Sequence, residues 1–350
     1  MPESNRARPK HILVMRLSAI GDVAMIVPLV LGLRQQYPSL KITVVSRPFL
    51  APLFTGIPEI QFYPIDLDKN HKGIKGLYNL YKELSLFNID AFADLHNVLR
   101  SKVLGFYFKL NGTPVVSLEK GRTERKKLVV LKPKKISPIK PVIERNADVL
   151  EKLNLPISLS KVKLLPRLEL SPQIKQITGE KKCTWIGIAP FAAYKTKMYP
   201  LALMEKVIEL LLEENVSIFL FGGGKKEVQA LEELAFEKDK CVNIAGKLNF
   251  AQELSVISNL DIMLSMDSGN GHLAAIYGVP VVTLWGNTHP YAGFKPFRQA
   301  EENSLGPDLS KYPLIPTSIY GKKIVSGYED CMSGIPPEEV VAKLKKLTDK

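Results

Sequence analysis

The sequence predicts an α/β protein built from two doubly wound halves. Three features predict it. Near the start, the apolar strand His11–Met15 runs into a polar, glycine-containing turn, Arg16–Asp22, and then an apolar helix, Val23–Gln35. Far down the chain the order recurs as strand Ile262–Leu264, turn Asp267–His272, a small-residue helix Leu273–Tyr277 and strand Val279–Leu284. Between them, Pro156–Pro172 carries three prolines and no long periodic segment, which marks a seam. Strands that alternate with helices fold as parallel sheets covered on both faces.

The elements follow in order. Pro28 either kinks the first helix or marks its effective start, since proline lacks an N–H but is tolerated in a first turn. Lys41–Ser46 alternates and ends before Arg47-Pro48 as a second strand, and Ile60–Ile65 is a third. Gly76–Leu86 has helical spacing through Leu77, Leu80, Tyr81 and Leu84. Ile89–Leu95 is a strand, Val98–Lys109 a helix and Thr113–Ser117 a strand. Ile143, Ala147, Leu150 and Leu153 share a face of the helix Ile143–Leu153. The second half restarts with strand Thr184–Ala189, turn Phe191–Pro200 and helix Leu201–Glu213. Strand Val216–Phe221 is closed by Gly222-Gly223-Gly224 before helix Lys225–Phe236. Strand Val242–Ala245 and helix Phe250–Ser258 lead to the recurring unit, and after Thr288 the chain is irregular through Lys311. Pro336–Glu339 opens a last helix with Val340, Val341, Leu344 and Leu347 on one face; acids at its start and lysines at its end suit its dipole.

A chain of 350 residues exceeds one ordinary core and suits two domains of about 150 residues each. Hydrophobic and charged contents of 45% and 24% are those of a soluble globular protein. The longest apolar stretch, Ala24–Leu33, is too short to span a bilayer, and MPESNRARPK precedes no signal core. Cys183, Cys241 and Cys331 are odd in number and far apart, which fits a reducing, cytoplasmic compartment rather than a disulfide framework or zinc knuckle. The net charge of +13 calls for acidic partners. Much of it lies in residues 120–140, where two readings stay open: a solvated, mobile loop, or a site for an anionic acceptor or the cytoplasmic membrane face. No aromatic residues interleave with these cations, so nucleic acid is not an expected partner.

Three polar clusters sit where a strand meets a helix. The turn Asp267–His272 offers backbone N–H groups and a helix start to an anion. Ser268 adds a hydroxyl there, Gly269 and Gly271 permit close approach, and His272 is a further donor. The same turn also reads as a simple N-cap. Asp22 stands where the first helix begins, either as its cap or as a carboxylate at the mouth of the sheet. Past the strand Ile89–Leu95 come His96, Asn97 and Arg100; Arg100 could fix a carboxylate or phosphate, or be an exposed helix residue. The GxGxxG dinucleotide fingerprint is absent.

The constellation resembles glycosyltransferase family 9, the heptosyltransferases. The matching pieces are Arg16-x-Ser18-x-x-Gly21-Asp22, Asp94-Leu95-His96-Asn97-x-x-Arg100-Ser101, Glu144-Arg145-Asn146, Lys197-Met198-Tyr199-Pro200, Gly222–Glu227, and Asp267-Ser268-Gly269-x-x-His272 continuing to Gly278-x-Pro280. The resemblance implies a GT-B fold, two Rossmann-like domains facing across a cleft. The expected division is an acceptor-side domain over 1–165, a nucleotide-sugar domain over 166–330 and a C-terminal helix, 331–350, returning to the first domain. It implies an inverting, metal-independent transfer of a sugar, heptose in the characterised families, from a nucleotide-diphosphate donor such as ADP-heptose. The expected acceptor is an anionic lipopolysaccharide core or related glycolipid, met by peripheral contact with the cytoplasmic membrane face. No cofactor is expected.

By the same resemblance Asp22 is the base, and Lys197 neutralises the leaving diphosphate, with Lys195 as an alternative. Ser18, Gly21, Glu227, Asp267, Ser268, Gly269 and His272 are implied as donor-binding. His96, Asn97 and Arg100 are implied on the acceptor side, and no metal ligands are expected. Glu227 would grip ribose hydroxyls or else be an exposed first-turn residue. A nucleotide-sugar epimerase or a non-catalytic nucleotide- or glycan-binding protein on the same architecture is the alternative, because fold alone names no reaction.

Overall fold

The structure, a computed structural model, describes residues 7–348. Residues 1–6, in the segment read as carrying no signal core, and residues 349–350, at the end of the last segment, lie outside the described residues. The described residues divide into two compact units, 7–120 with Val142–Leu165, and Gly121–Pro141 with 166–348.

In chain order the elements are β1 (His11–Met15), α1 (Ile20–Ala24), α2 (Val27–Gln36), β2 (Lys41–Ser46), β3 (Ile60–Pro64), α3 (Gly73–Ser85), β4 (Ala91–Asp94), α4 (Leu99–Leu110), β5 (Val115–Ser117), α5 (Arg122–Leu128) and α6 (Val142–Glu151). They continue with α7 (Pro172–Thr178), β6 (Thr184–Ala189), α8 (Leu201–Leu212), β7 (Val216–Leu220), α9 (Lys225–Ala235), β8 (Cys241–Asn243), α10 (Phe250–Asn259), β9 (Ile262–Met266), α11 (Gly269–Ala275), β10 (Val281–Leu284), β11 (Ser304–Leu305) and α12 (Pro337–Thr348).

The first unit holds a five-stranded sheet in the order β3-β2-β1-β4-β5, and the second a six-stranded sheet in the order β11-β10-β9-β6-β7-β8. Every pairing is parallel. Strands such as β1 and β9 are buried at every position, which is why they read as continuous apolar runs. Each unit has its own core. One gathers Leu13, Met15, Leu80, Phe92, Leu104 and Phe108, the other Ile188, Val207, Ile218, Leu264 and Leu284.

Four expectations are corrected. The basic segment is not a mobile loop of the first domain. It forms α5 and an extended strap that belongs to the second unit, so the first domain is not continuous over 1–165. Lys134 Nζ donates to the carbonyls of Leu314 and Pro316 at 2.8 and 3.2 Å, and the Ile139 N–H donates to the Tyr291 carbonyl at 3.0 Å. The last helix also belongs to the second unit rather than returning to the first: Val340, Val341 and Leu344 of α12 join the core formed by Met204, Val207 and Leu211 of α8. Burying such aliphatic side chains is worth about 1.5–3 kcal/mol each. Tyr199 Oη fixes the approach by donating to the Ile335 carbonyl at 2.6 Å.

The other two are local. The turn after β9 is shorter than expected, because α11 starts at Gly269 and takes in Asn270, Gly271 and His272. The first helix is two helices, and Pro28 sits in the opening turn of α2, where its missing N–H has no partner to lose. The short α7, with Ser171 as its N-cap, lies in the stretch beside the seam that showed no periodicity.

Candidate active site

In an open parallel sheet, loops leave neighbouring strands toward opposite faces where the strand order reverses, and that opening is where ligands bind. In the first unit the reversal lies between β1 and β4, in the second between β6 and β9. The marked polar residues follow these four strands, except Glu227, which follows β7.

In the first unit Arg16 organises the opening. Its Nε donates to the Ser18 carbonyl at 2.8 Å, Nη1 to the Leu95 carbonyl at 2.7 Å, and Nη2 pairs with Asp22 Oδ2. One guanidinium thus ties the turn after β1 to the turn after β4 and holds the acid. Asp22 also accepts from the Ala19 N–H at 3.2 Å, so the carboxylate caps its helix and still reaches the sheet's mouth; its side chain is 25% exposed. The two positional readings of Asp22 are compatible.

Asp94, fully buried, builds the second turn. It accepts from the N–H groups of His96 and Asn97 at 3.1 and 2.8 Å and from Ser117 Oγ at 3.0 Å. Asn97 takes a left-handed conformation, φ 48°, and its amide donates to the Leu118 carbonyl at 2.7 Å. That contact gives Asn97 a loop-holding role. His96 Nε2 lies 3.4 Å from Ser18 Oγ. Burial pushes the His96 pKa down to about 4, with Arg16, Lys120 and Arg47 adding and Asp22 opposing. His96 is therefore a neutral imidazole near pH 7. Arg100 is exposed on the first turn of α4.

In the second unit the sharpest feature is an ion pair. Lys197 Nζ lies 3.2 Å from Asp267 Oδ2 and donates to the Asp267 carbonyl at 2.5 Å. Thr288 Oγ1 donates to the same carboxylate at 2.9 Å. Ser265, the polar residue inside strand β9, accepts from the Gly271 N–H at 3.1 Å and lies 3.2 Å from Ser268 Oγ. Ser268 stands at the N-cap position of α11 without a side-chain capping bond, Gly269 opens the helix, and His272 is buried on its first turn. Gly271 serves packing rather than ligand approach: a Cβ there would press on Pro296 and Val281 at 3.3 Å. Glu227 accepts from the Gly223 N–H at 2.8 Å, closing the glycine turn on itself.

Residues 77–314 match the sequence pattern of glycosyltransferase family 9 (heptosyltransferase). The chain belongs to that family. It is therefore a glycosyltransferase, which sets aside the epimerase and non-catalytic alternatives. The lipopolysaccharide core heptosyltransferase OpsX of Haemophilus influenzae is 26% identical over 97% of both chains, and the lipooligosaccharide heptosyltransferase 2 of that organism is 27% identical over 97% of this chain and 100% of its own. These alignments span the Asp22 turn, which the family pattern does not reach. Among solved structures, a family 9 glycosyl transferase from Veillonella parvula superposes with a TM-score of 0.75 at 19% identity, covering 99% of each chain. The E. coli ADP-heptose lps heptosyltransferase II superposes at 0.66 and 21%, covering 97% of this chain and 98% of its own. These likenesses give the fold as GT-B type, with a Rossmann-like sheet in each unit.

Within this glycosyltransferase the geometry separates Lys197 from Lys195. Lys195 is exposed and lines a cavity of about 540 Å³ with Tyr199, Glu329 and Asp330, whereas Lys197 points to Asp267. Sequence reasoning passed over Arg16, although it opens the first motif, and over Ser265, whose polarity inside an apolar strand was the available signal. It also passed over Thr196, Gly286 and Gly321. Thr196 donates through Oγ1 to the Gly321 carbonyl and accepts from the Asn287 N–H at 3.0 Å. A Cβ on Gly286 would come within 2.1 Å of the Thr196 carbonyl oxygen, and one on Gly321 within 2.6 Å of the Lys197 side chain. Among the described residues no helix is long and apolar enough to cross a membrane, and no group of three or more His, Cys, Asp or Glu side chains could hold a metal ion.

Proposed function

We propose that this glycosyltransferase moves a heptose from ADP-heptose to a lipopolysaccharide core or related glycolipid acceptor, with inversion at the anomeric carbon. The acceptor hydroxyl oxygen attacks that carbon, its proton passes to the Asp22 carboxylate, and the bond to the diphosphate breaks with its electron pair leaving on ADP. A proton lost late in an oxocarbenium-like transition state needs only a carboxylate at the right point. Arg16 keeps Asp22 oriented through its three-way contact. The leaving diphosphate gathers negative charge, and Lys197 with the start of α11 at Ser268 and Gly269, and His272 beside it, meets that charge without a metal or other cofactor.

Ser18 and Gly21 lie along the donor's path in the first unit. The free edge of Glu227 reaches ribose hydroxyls, and neutral His96, with Asn97 and Arg100, contacts the acceptor. The enzyme works on the cytoplasmic face of the membrane as a peripheral protein. The observation that supports the reading most is that both charged residues, Asp22 and Lys197, follow the strand at which their own sheet reverses order. The names borne by the full-length relatives supply the sugar and the acceptor class.

The deciding experiment is transfer from ADP-heptose to a heptose-deficient core glycolipid by the wild-type enzyme and by Asp22→Asn. The expected result is product of inverted configuration from the wild type. The variant should be slowed by about 10² to 10⁴-fold, the usual weight of a general base, with ADP binding retained. Turnover with a UDP-, GDP- or CDP-sugar and none with ADP-heptose would overturn the donor. Near-normal turnover by the variant would overturn the base.

A further inference from the structure

The first unit carries an apolar surface that its own core does not use. In α4, Leu104 and Phe108 face the sheet and are buried. On the opposite side Leu99, Phe106 and Leu110 stand 78%, 56% and 71% exposed. Their spacing of seven and four residues brings them onto one stripe, since the helix turns once in 3.6 residues. A helix apolar on both sides is normally enclosed, and this one is enclosed on one side only.

The stripe continues onto α3, which packs beside α4. The Tyr78 and Tyr107 rings meet edge to face at 5.4 Å and join the two helices in an aromatic band; Ile74, one turn before Tyr78, is 70% exposed. Cations flank it. Lys102 and Lys109 lie along one edge of the α4 stripe, and Lys75 and Lys82 are exposed on α3, with Lys82 Nζ 5.4 Å from the Tyr78 ring centroid. Glu83, the single carboxylate in the two helices, is held by Tyr63 and His71.

We infer that this face of α3 and α4 is a docking surface for an anionic phospholipid bilayer. Aliphatic and aromatic side chains flanked by lysines are what an interfacial helix presents: the apolar groups enter the headgroup boundary and the lysines meet lipid phosphates. Contiguous exposed apolar patches rimmed by polar residues mark interaction sites. Within the second unit, Arg125 and Lys134 of the basic strap are held by Tyr320 and the Leu314 carbonyl, whereas these lysines of the first unit surround open apolar side chains. The inference deepens the proposed function, which has a membrane-anchored acceptor.

The test is co-sedimentation of the full chain with vesicles of phosphatidylglycerol and phosphatidylcholine, against vesicles of phosphatidylcholine alone. The wild type is expected on the anionic vesicles, with binding falling as salt is added. Leu99→Ser with Phe106→Ser should lower that binding at least tenfold with an unchanged melting temperature, and Phe106→Trp should restore it. The double-serine variant should turn over a soluble, delipidated acceptor as the wild type does. Equal binding by wild type and variant, or equal binding to both vesicle types, would overturn the inference. So would a dimer that the serine substitutions dissociate without changing vesicle binding. Wild-type chain that binds anionic vesicles yet transfers no heptose would leave the surface standing and remove the proposed reaction.

Discussion

Lys197 Nζ lies 3.2 Å from Asp267 Oδ2, a carboxylate seventy residues further along the chain. Both side chains are about nine-tenths buried, and Thr288 donates to the same oxygen. The pair fixes the ammonium at the reversal point of the second sheet, in a setting where charge interacts strongly. Replacing Lys197 by Met is expected to lower kcat by 10² to 10³-fold, about 3–4 kcal/mol of transition-state stabilisation, with a smaller change in donor KM. Steady-state rates at saturating donor check this, and an unchanged kcat would dismiss the leaving-group role.

Arg125 reaches the same place from the strap. Its Nη1 donates to Tyr320 Oη at 2.8 Å and its guanidinium stacks 4.8 Å from the Phe294 ring centroid. Tyr320 precedes Gly321, whose carbonyl accepts from Thr196 and where an added Cβ would collide with the Lys197 stem. Losing a hydrogen bond and a cation–π contact at this depth costs about 1–3 kcal/mol. Arg125→Ala should therefore lower the denaturation midpoint and raise donor KM more than it lowers kcat. Arg125→Lys keeps the charge without the planar stacking and should recover only part of both. A variant with wild-type midpoint and KM would show that the strap does not support the donor side.

His96 gives the enzyme an acid-sensitive window. Its folded pKa, about 4, is below the usual 6.5, so between those values the unfolded chain binds a proton that the folded chain refuses. Stability is full above pH 6.5 and falls as pH drops toward 4, by up to a few kcal/mol at one site. Denaturation midpoints measured from pH 7.5 to 4 should fall less for His96→Gln than for wild type. His289, also lowered to about 4 by burial, contributes in the same window and remains in the variant. Parallel pH curves for the two proteins would contradict the assignment.

Gly286 is a packing requirement beside the site. A Cβ there would stand 2.1 Å from the Thr196 carbonyl oxygen, a backbone atom that cannot swing away. Gly286→Ala is expected to cost about 2–4 kcal/mol, in the range of overpacked core substitutions, and to disturb the Thr196–Lys197 segment. Thermal melts should show the loss. Gly223→Ala, which meets nothing within 4 Å, is the control and should be near neutral by comparison.

Much of the fold was legible because its signals are local. Parallel strands buried on both faces announce themselves as apolar runs, and β1, β2 and β6 begin and end where the pattern put them. The turn motifs were legible too, since a polar cluster after a strand is where an open sheet binds ligands. The extent of α11 was not, because Gly269, Asn270 and Gly271 resemble a turn until Ser265 accepts the Gly271 N–H from inside β9.

The sequence by itself determined two parallel α/β halves and the seam near residue 165, and it marked the turns in which Asp22 and Lys197 sit. Only the tertiary structure decided which partner each amphipathic or charged segment takes. The pattern of α12 states that a face must be buried, not that α8 will bury it. The charges of 121–141 state an affinity for acceptors and anions, not that carbonyls of the second unit will satisfy Lys134. Arg16 and Ser265 owe their importance to atoms 79 and six residues away, respectively, and such distances are closed by folding alone.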